Sequence, residues 1–421
     1  MTHRLARQEA IALGLLALLI VFHLVNNWLW LSANEVEYSF DRLYHQVTSL
    51  AYYDTLRQGV SLQSLFAALT WSDYYPPLVH LLVTLFYALF GVSVDVSAMA
   101  NSVFVILLLV AVYDVGRRFG GPWTGLLSAF IVSTFPIVFS MSRYLYIDFA
   151  LLSLVAVNVA LLLRADRFRH RGYSLLYGLS LGLGLLTKWT FAAFVAAPLL
   201  AVLVAPGTLR AVWEALRSRE GPANEEALRV LGNGTAEAAT TNGHSWRRVG
   251  GASLIGLAVT ALWFVPNVAA TAALPLGYAL VPLSWVLWTV AAYLILSPAA
   301  QGTNLLAALA LGACVAGSWY LTRIDFVAGF WLNAYGKPTG RSWGFRGYRY
   351  YLIHEQLSPL YVAVLLAALL ILAVWRWRRA GSWRGVLPRR LEEWILLLWA
   401  VVPYVVFSIQ VSIIHSRYIM P

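Results

Sequence analysis

Charged residues are scarce in this sequence: Asp, Glu, Lys and Arg together make up only 12% of its 421 residues. Soluble domains usually carry about 25% charged residues. Hydrophobic residues account for 60% of the chain, and its mean hydropathy is +0.70. So little polar surface does not cover a water-soluble globule. The composition therefore excludes a soluble enzyme and predicts a protein embedded in a lipid bilayer.

Cysteine is almost absent, since Cys314 is the only one and it lies in an apolar run. A single thiol excludes a disulfide framework and a cysteine metal cluster. The sequence also has no Walker loop, no His-Glu-x-x-His motif and no Gly-x-Ser-x-Gly element. These absences indicate that the chain carries no soluble catalytic domain.

Long apolar runs, in contrast, are abundant. A helix needs about 20 apolar residues to cross a bilayer. Runs that reach or approach this length lie at 11–31, 97–116, 122–141, 148–164, 174–187, 189–205, 250–268, 274–297, 303–320, 358–375 and 391–410. No small-residue cleavage site follows the first run, which is read as an uncleaved helix. The pattern predicts an all-α polytopic membrane protein with about eleven transmembrane helices and juxtamembrane helices on the outer face.

Arginine placement predicts the orientation of these helices. Arg4 and Arg7 precede the first run, which places the N-terminus in the cytoplasm. Counting crossings from there assigns the dense arginine loops at 117–118, 164–171 and 376–390 to the cytoplasmic side, as the positive-inside rule requires. The net charge of +11 is then an orientation signal and an attraction to anionic lipids. Nucleic-acid binding is disfavoured because the basic residues are dispersed between the spans. We therefore expect a multi-pass protein of a bacterial-type inner membrane.

One apolar run, at 77–90, is too short for this scheme. It has 14 residues, fewer than a crossing needs. Counting it as a span would move the later arginine loops to the outer side. It is therefore predicted to be a juxtamembrane or re-entrant helix on the outer face.

Two predicted outer loops carry charges of opposite sign. The loop at 32–77 is acidic and aromatic, whereas the loop at 321–357 is basic and contains Lys337, Arg341, Arg346 and Arg349. Sugar transfer from a lipid phosphate needs a carboxylate to deprotonate the acceptor hydroxyl. It also needs cations that stabilise the departing phosphate. The two loops together therefore predict chemistry on a charged, lipid-linked substrate.

Five short motifs follow one another along the chain. They are Asp41 with Tyr44, Ala51, Leu56 and Gly59; the Pro-Pro-Leu stretch 73–78 with Leu89-Phe90-Gly91; the segment 142–148; the segment 182–188; and the Arg-Tyr-x-x-Pro element 417–421. In this order they resemble the polytopic GT-C glycosyltransferases, in particular the protein-mannosyltransferase and lipid A aminoarabinose-transferase group. The resemblance covers 30–205 well, 310–421 loosely and the middle of the chain poorly.

The resemblance implies an inverting sugar transfer from a polyprenyl-phosphate donor at the extracytoplasmic face. Carried over to this sequence, Asp41 and Asp148 are the expected catalytic residues. The expected substrate-binding residues are Glu37, Tyr75, Arg143, Lys188, Arg341, Arg346, Arg349 and Arg417. The aminoarabinose transferases have a basic residue before the paired prolines, where this chain has Tyr75. This difference disfavours a lipid A substrate and assigns phosphate binding to other cations, in the 337–349 loop.

Several of these predicted site residues also have a possible structural role. Asp41 is also suited to capping a helix, and Glu35 and Glu37 compete with it as the essential carboxylate. A carboxylate at Asp148 is favoured at any helix start. Arg143 and Lys188 could be interfacial anchors, and His415 accompanies Arg417 at the end of the chain. No cofactor is certain; a divalent metal on His45 and His80 with the acidic loop stays an open alternative, although the ligand spacing does not support it.

The whole chain, 1–421, is predicted to be one membrane-embedded domain. It divides into a family-like catalytic module at 1–205, a cytoplasmic loop at 206–249, and further helices with the second outer loop at 250–421. Family members usually continue beyond the position of Pro421, which predicts a C-terminal truncation. The expected partners are a polyprenyl-phosphate sugar donor and membrane lipids, and the acceptor is undetermined. The rival function is a transporter or flippase of lipid-linked saccharides, which should place ionisable residues in the middle of its spans.

Overall fold

The computed structural model of this chain describes residues 2–34, 40–72, 74–217, 237–274, 276–335, 358–382 and 386–410. Within these ranges the regular structure is helical, and no β-strand occurs in them. Helices are the structures that satisfy all backbone hydrogen bonds inside a single segment, which a bilayer interior requires.

The first twelve helices cover the part of the chain that contains four of the five motifs. They are α1 (Thr2–Ala33), α2 (Phe40–Leu56), α3 (Leu62–Leu69), α4 (Leu78–Phe90), α5 (Val94–Met99), α6 (Asn101–Gly120), α7 (Pro122–Ser133), α8 (Pro136–Met141), α9 (Ile147–Arg164), α10 (Arg171–Leu185), α11 (Phe191–Leu203) and α12 (Thr208–Arg217).

Seven more α-helices follow, separated in places by short 3-10 turns. They are α13 (Glu237–Phe264), α14 (Val268–Ala272), α15 (Leu280–Leu296), α16 (Gln301–Tyr320), α17 (Ile324–Tyr335), α18 (Ser358–Ala380) and α19 (Leu391–Gln410).

The helix lengths confirm an all-α membrane fold. Seven helical segments in the described residues are long and apolar enough to cross a bilayer, and an eighth is added if α11 and α12, bent by 80°, form one span. The count of about eleven stays a prediction. Four predicted runs make the difference: α7, α10 and α11 are short, with 12, 15 and 13 residues, and α19 is not among the seven segments.

Helix α9 lies at the centre of the bundle. It packs against α6, α10 and α11, and 83% of its apolar stretch is buried inside the protein. By contrast, none of the apolar stretch of α18 is buried, and Leu370 and Ile371 are 65% and 69% exposed on its surface. Such a surface suits lipid contact. Because Asp148 lies in the first turn of α9, the central position of this helix holds that carboxylate inside the bundle.

Ion pairs of arginine gather at one end of the bundle, which is called the arginine end below. Arg164 near the end of α9 donates from Nε to Oδ2 of Asp114 on α6 at 2.6 Å. Arg376 pairs with Glu393 at 2.8 Å and joins α18 to α19. The opposite end is called the site end. There α1, α10 and α16 finish, and α6, α9 and α11 begin.

The short helix α4 begins and ends at the site end. The N–H of Leu78 in its first turn donates to the carbonyl of Leu186, just after α10, at 3.0 Å. After α4 the chain reaches α6, where Asn101 donates to the carbonyl of Met141 at 3.3 Å. Between these points Thr84 contacts α2 by donating to the carbonyl of Ser49 at 3.2 Å. Helix α4 thus lies along α2. That run 77–90 does not cross the bilayer stays a prediction.

Glycine permits a close crossing of α10 and α16. A Cβ on Gly178 would overlap the backbone carbonyl of Ala308. Small residues at helix crossings let membrane helices approach closely. This crossing holds the end of α16 against the end of α10, where Tyr320 donates to the carbonyl of Leu185 at 2.9 Å.

We expect Gly178→Ala to destabilise the protein, because the added methyl group has no space. Overpacking of this kind costs about 1–3 kcal/mol, which thermal unfolding in detergent measures as a lower midpoint. Gly172→Ala in the same helix is the matched control, since nothing lies within 4 Å of its added Cβ. Equal midpoints for the two variants would contradict the close crossing.

Candidate active site

Five segments meet at the site end, and four of them carry or adjoin predicted site residues. They are the last turns of α1, the first turns of α2, the start of α4, the segment between α8 and α9, and the turn between α10 and α11. The hydrogen bonds and ring contacts between them bring together residues that are more than 100 positions apart in the sequence.

Asp148 and Lys188 form a buried ion pair. The Nζ atom of Lys188 lies 2.6 Å from Oδ1 of Asp148, and the two residues are only 6% and 3% exposed. Asp148 lies in the first turn of α9, where the helix dipole favours a negative charge. Lys188 lies in the turn between α10 and α11. Lys188 therefore points into the bundle, and the alternative of an anchor that extends to the lipid headgroups does not fit its position.

Arg143 lies against the last turns of α1. Its Nε donates to Oδ1 of Asn27 at 3.1 Å, and its guanidinium lies 4.0 Å from the ring centre of Phe139. Asn27 in turn donates to the hydroxyl of Ser142 at 3.0 Å. These contacts fix the 142–148 segment to α1, so Arg143 has a structural role whether or not it also contacts substrate.

Asp41 and Arg42 open helix α2. Asp41 is half-buried in the first turn, a position that also suits the helix dipole. The guanidinium of Arg42 lies 3.7 Å from the ring centre of Tyr144 and 5.0 Å from that of Tyr146. Arg42 thus joins the turn that carries Asp41 to the segment that leads to Asp148. Arg42 was not among the residues predicted from the sequence, although Asp-Arg in the acidic loop and Tyr-x-Tyr at 144–146 were the available signals.

Tyr75 belongs to an aromatic cluster around two histidines. His45 of α2 and His80 of α4 share a hydrogen bond of 3.2 Å between Nδ1 and Nε2, and both are almost fully buried. The ring centre of Tyr75 lies 4.7 Å from that of His45 and 5.5 Å from that of Tyr44. Burial, and next the charge of His45, hold the pKa of His80 well below its ordinary value. Among the described residues no group of three His, Cys, Asp or Glu side chains could hold a metal ion.

The remaining predicted site residues lie outside the described residues. They are Glu37 in the first loop and Arg341, Arg346, Arg349 and Arg417 in the later part of the chain, together with the alternatives Glu35, Lys337 and His415.

Beside the buried ion pair lies a narrow pocket, called the aromatic slot below. Its walls are Tyr74, Pro76, Trp189, Trp319, Tyr320, Phe326 and Val327. Trp189 directly follows Lys188, and its ring centre lies 6.2 Å from that of Tyr74. The slot was not predicted, because it combines residues from three distant parts of the chain.

The comparison with protein families covers the centre of this arrangement. Residues 75–217 match the family model described as dolichyl-phosphate-mannose-protein mannosyltransferase. The predicted resemblance to the protein-mannosyltransferase group is therefore confirmed over these residues. The match includes Tyr75, Arg143, Asp148 and Lys188, and it begins after Asp41.

A solved structure with a similar chain is the crystal structure of ArnT from Cupriavidus metallidurans bound to undecaprenyl phosphate. The sequence identity is 15% and the TM-score is 0.39, over 93% of this chain and 77% of that chain. At this level the two backbones do not superpose closely enough for residues to be matched one to one. No curated protein matches this chain in sequence.

Proposed function

We propose that the protein transfers a sugar from a polyprenyl-phosphate donor to an acceptor hydroxyl at the site end of the bundle. The family description names a dolichyl-phosphate sugar, which is a donor of this class. The observation that carries the proposal is the meeting of Asp41, Tyr75, Arg143, Asp148 and Lys188 at one end of the bundle. These residues come from four separate motifs, and a common location is what a shared catalytic site requires.

The proposed reaction is a direct displacement at the anomeric carbon. Asp41 accepts the proton of the acceptor hydroxyl as its oxygen forms a bond to that carbon. The bond between the carbon and the donor phosphate breaks, and its electron pair leaves with the phosphate. Attack on the side opposite the leaving group inverts the anomeric configuration.

The leaving phosphate gains negative charge and needs a cation. Within the described residues Arg42 is suited to this role, because Tyr144 and Tyr146 hold its planar guanidinium beside the turn of Asp41. A guanidinium can donate two parallel hydrogen bonds to phosphate oxygens. The basic loop at 337–349 remains a second proposed source of cations.

Asp148 and Lys188 have a different proposed role. Each neutralises the charge of the other inside the bundle, so the start of α9 and the turn after α10 stay together. The pair then forms one wall of the site, with Asp148 as the second acidic residue that the family resemblance implies.

An assay with purified protein tests this function. A panel of polyprenyl-phosphate sugars is supplied with candidate acceptors, and release of the lipid phosphate is measured. We expect release with at least one sugar, and inversion at the anomeric carbon of the product in its NMR spectrum. Movement of intact donors across vesicle membranes without bond cleavage would instead support the rival function of a transporter or flippase.

The proposal also places the site end on the extracytoplasmic face. Val47 on α2 is 50% exposed at the site end, and the Arg169 side chain is 56% exposed at the arginine end. In intact cells, an impermeant maleimide is expected to label Val47→Cys but to label Arg169→Cys only after permeabilisation. The native Cys314 is 2% exposed and should give little background. Labelling of both positions from outside would refute this orientation.

A further inference from the structure

Helix α12 runs across the arginine end of the bundle. Its axis is bent by 80° from that of α11, which packs along α9 and α19. Gly207, between the two helices, has a φ of +85°, a conformation that glycine adopts readily. Arg167, in the turn after α9, donates to the carbonyl of Pro206 and lies 3.5 Å from the hydroxyl of Thr208. These contacts hold the start of α12 against the arginine end.

One face of α12 is covered by the protein. Ala211 and Ala215 are one helical turn apart, and both lie against Gly302 in the first turn of α16. A Cβ on Gly302 would overlap the carbonyl of Ala211, so the two helices are in close contact. Thr208, in the first turn of α12, is also fully buried. The packing of this face determines which way the other faces of the helix point.

A second face of α12 is apolar and exposed. Leu209, Trp213 and Leu216 recur at intervals of four and three positions, which places them on one side of the helix. They are 59%, 54% and 44% exposed, so the described residues leave much of this face uncovered. Leu200 and Val204, one turn apart near the end of α11, are exposed as well. The apolar face of α12 therefore follows directly on a part of α11 that suits contact with lipid.

The third face of α12 is polar. Arg210, Glu214 and Arg217 each follow one of the apolar residues by one position. Arg210 and Glu214 form an ion pair of 2.8 Å, and their side chains are 82% and 61% exposed. The guanidinium of Arg217 lies 4.4 Å from the ring centre of Trp213, at the border of the two exposed faces. Tryptophan favours the headgroup level of a bilayer, and a positive charge beside it is attracted to lipid phosphates.

We propose that α12 lies in the plane of the membrane surface at the arginine end and binds phospholipid there. Its apolar face enters the boundary of the acyl chains, and its polar face stays with the headgroups and water, as in other interfacial amphipathic helices. A membrane-spanning role does not fit, because it would place Arg210, Glu214 and Arg217 in the hydrocarbon.

The exposed apolar face fits a lipid surface better than a protein partner. It presents three large apolar side chains, whereas a specific protein interface takes roughly 20–30 residues from each side. The bend after α11 also directs the helix across the end of the bundle, where the membrane surface lies. Because α12 is at the end opposite the candidate active site, this inference does not depend on the proposed reaction.

Depth measurements with a fluorophore test the inference. The full-length protein is labelled at Leu209→Cys, Leu216→Cys or Glu214→Cys and reconstituted in bilayers of phosphatidylcholine and phosphatidylglycerol. Lipids with a quenching spin label near the headgroup or near the chain end locate the fluorophore, and aqueous iodide detects contact with water. We expect equal and shallow depths for the labels at Leu209 and Leu216, and strong iodide quenching only for the label at Glu214.

Controls at two other positions calibrate the quenchers. Leu370→Cys on α18 is the control for lipid, since Leu370 is 65% exposed on a helix with an apolar surface. Arg169→Cys is the control for water at the arginine end, because its side chain is exposed. The wild-type protein, whose Cys314 is buried, gives the background of labelling. Unchanged thermal unfolding midpoints confirm that each variant is folded.

Three results would overturn the inference. If α12 spanned the membrane, the depths at Leu209 and Leu216 would differ by about 10 Å, the rise of two helical turns. Iodide quenching at both leucine positions as strong as at Glu214 would place the apolar face in water. Protection of both leucine positions from every quencher would show that protein, and not lipid, covers this face.

Discussion

Asp41→Asn is expected to reduce turnover by about 10²- to 10⁴-fold, the usual contribution of a general base. The substitution keeps the size of the side chain and its ability to form hydrogen bonds, but it removes the group that accepts the proton. Donor binding should persist, because the phosphate is held by cations and not by this carboxylate. Initial rates of lipid-phosphate release and a separate donor-binding measurement distinguish the two effects.

A control on the same helix makes this expectation specific. Asp54 is an exposed carboxylate of α2 that pairs with Arg57 at 3.1 Å, so Asp54→Asn should leave turnover close to normal. If Asp41→Asn keeps near-normal turnover while Glu35→Gln or Glu37→Gln is inactive, the general base is that glutamate in the preceding loop and not Asp41. Full activity of all three variants would show that the first loop takes no part in catalysis.

Lys188→Met is expected to destabilise the protein strongly. It leaves the carboxylate of Asp148 buried without its partner, and loss of one member of a buried ion pair costs about 3–5 kcal/mol. Thermal unfolding in detergent should show a large decrease of the midpoint. The double variant Asp148→Asn with Lys188→Met should recover part of the loss, because no unpaired charge then remains.

Arg57→Met provides the matched control for this prediction. The Arg57–Asp54 pair is exposed, and such pairs contribute about 0–1 kcal/mol. If Lys188 acted only as a phosphate-binding cation, Lys188→Met would weaken donor binding and leave the unfolding midpoint unchanged. That result would contradict a structural role for the pair.

The class of fold could be predicted from the amino-acid sequence alone. The length and apolarity of the runs predict membrane helices, because a bilayer accepts only segments that satisfy their own backbone. The short length of run 77–90 likewise predicted a helix that does not cross. Asp41, Tyr75, Arg143, Asp148 and Lys188 were predicted because the motifs around them resemble those of a known family, and such motifs are visible in a single chain.

Which of these residues contact one another could not be predicted from the sequence and is seen in the packing of the helices. The pairing of Asp148 with Lys188 links positions 40 residues apart, and the stacking of Arg42 on Tyr144 links α2 to the start of α9. The aromatic slot combines Tyr74, Trp189 and Trp319 from three helix ends. Helix periodicity predicts what a segment is, but it does not predict its neighbours. Those are determined by close packing of whole helices, such as the crossing at Gly178, and no local pattern in the sequence encodes that packing.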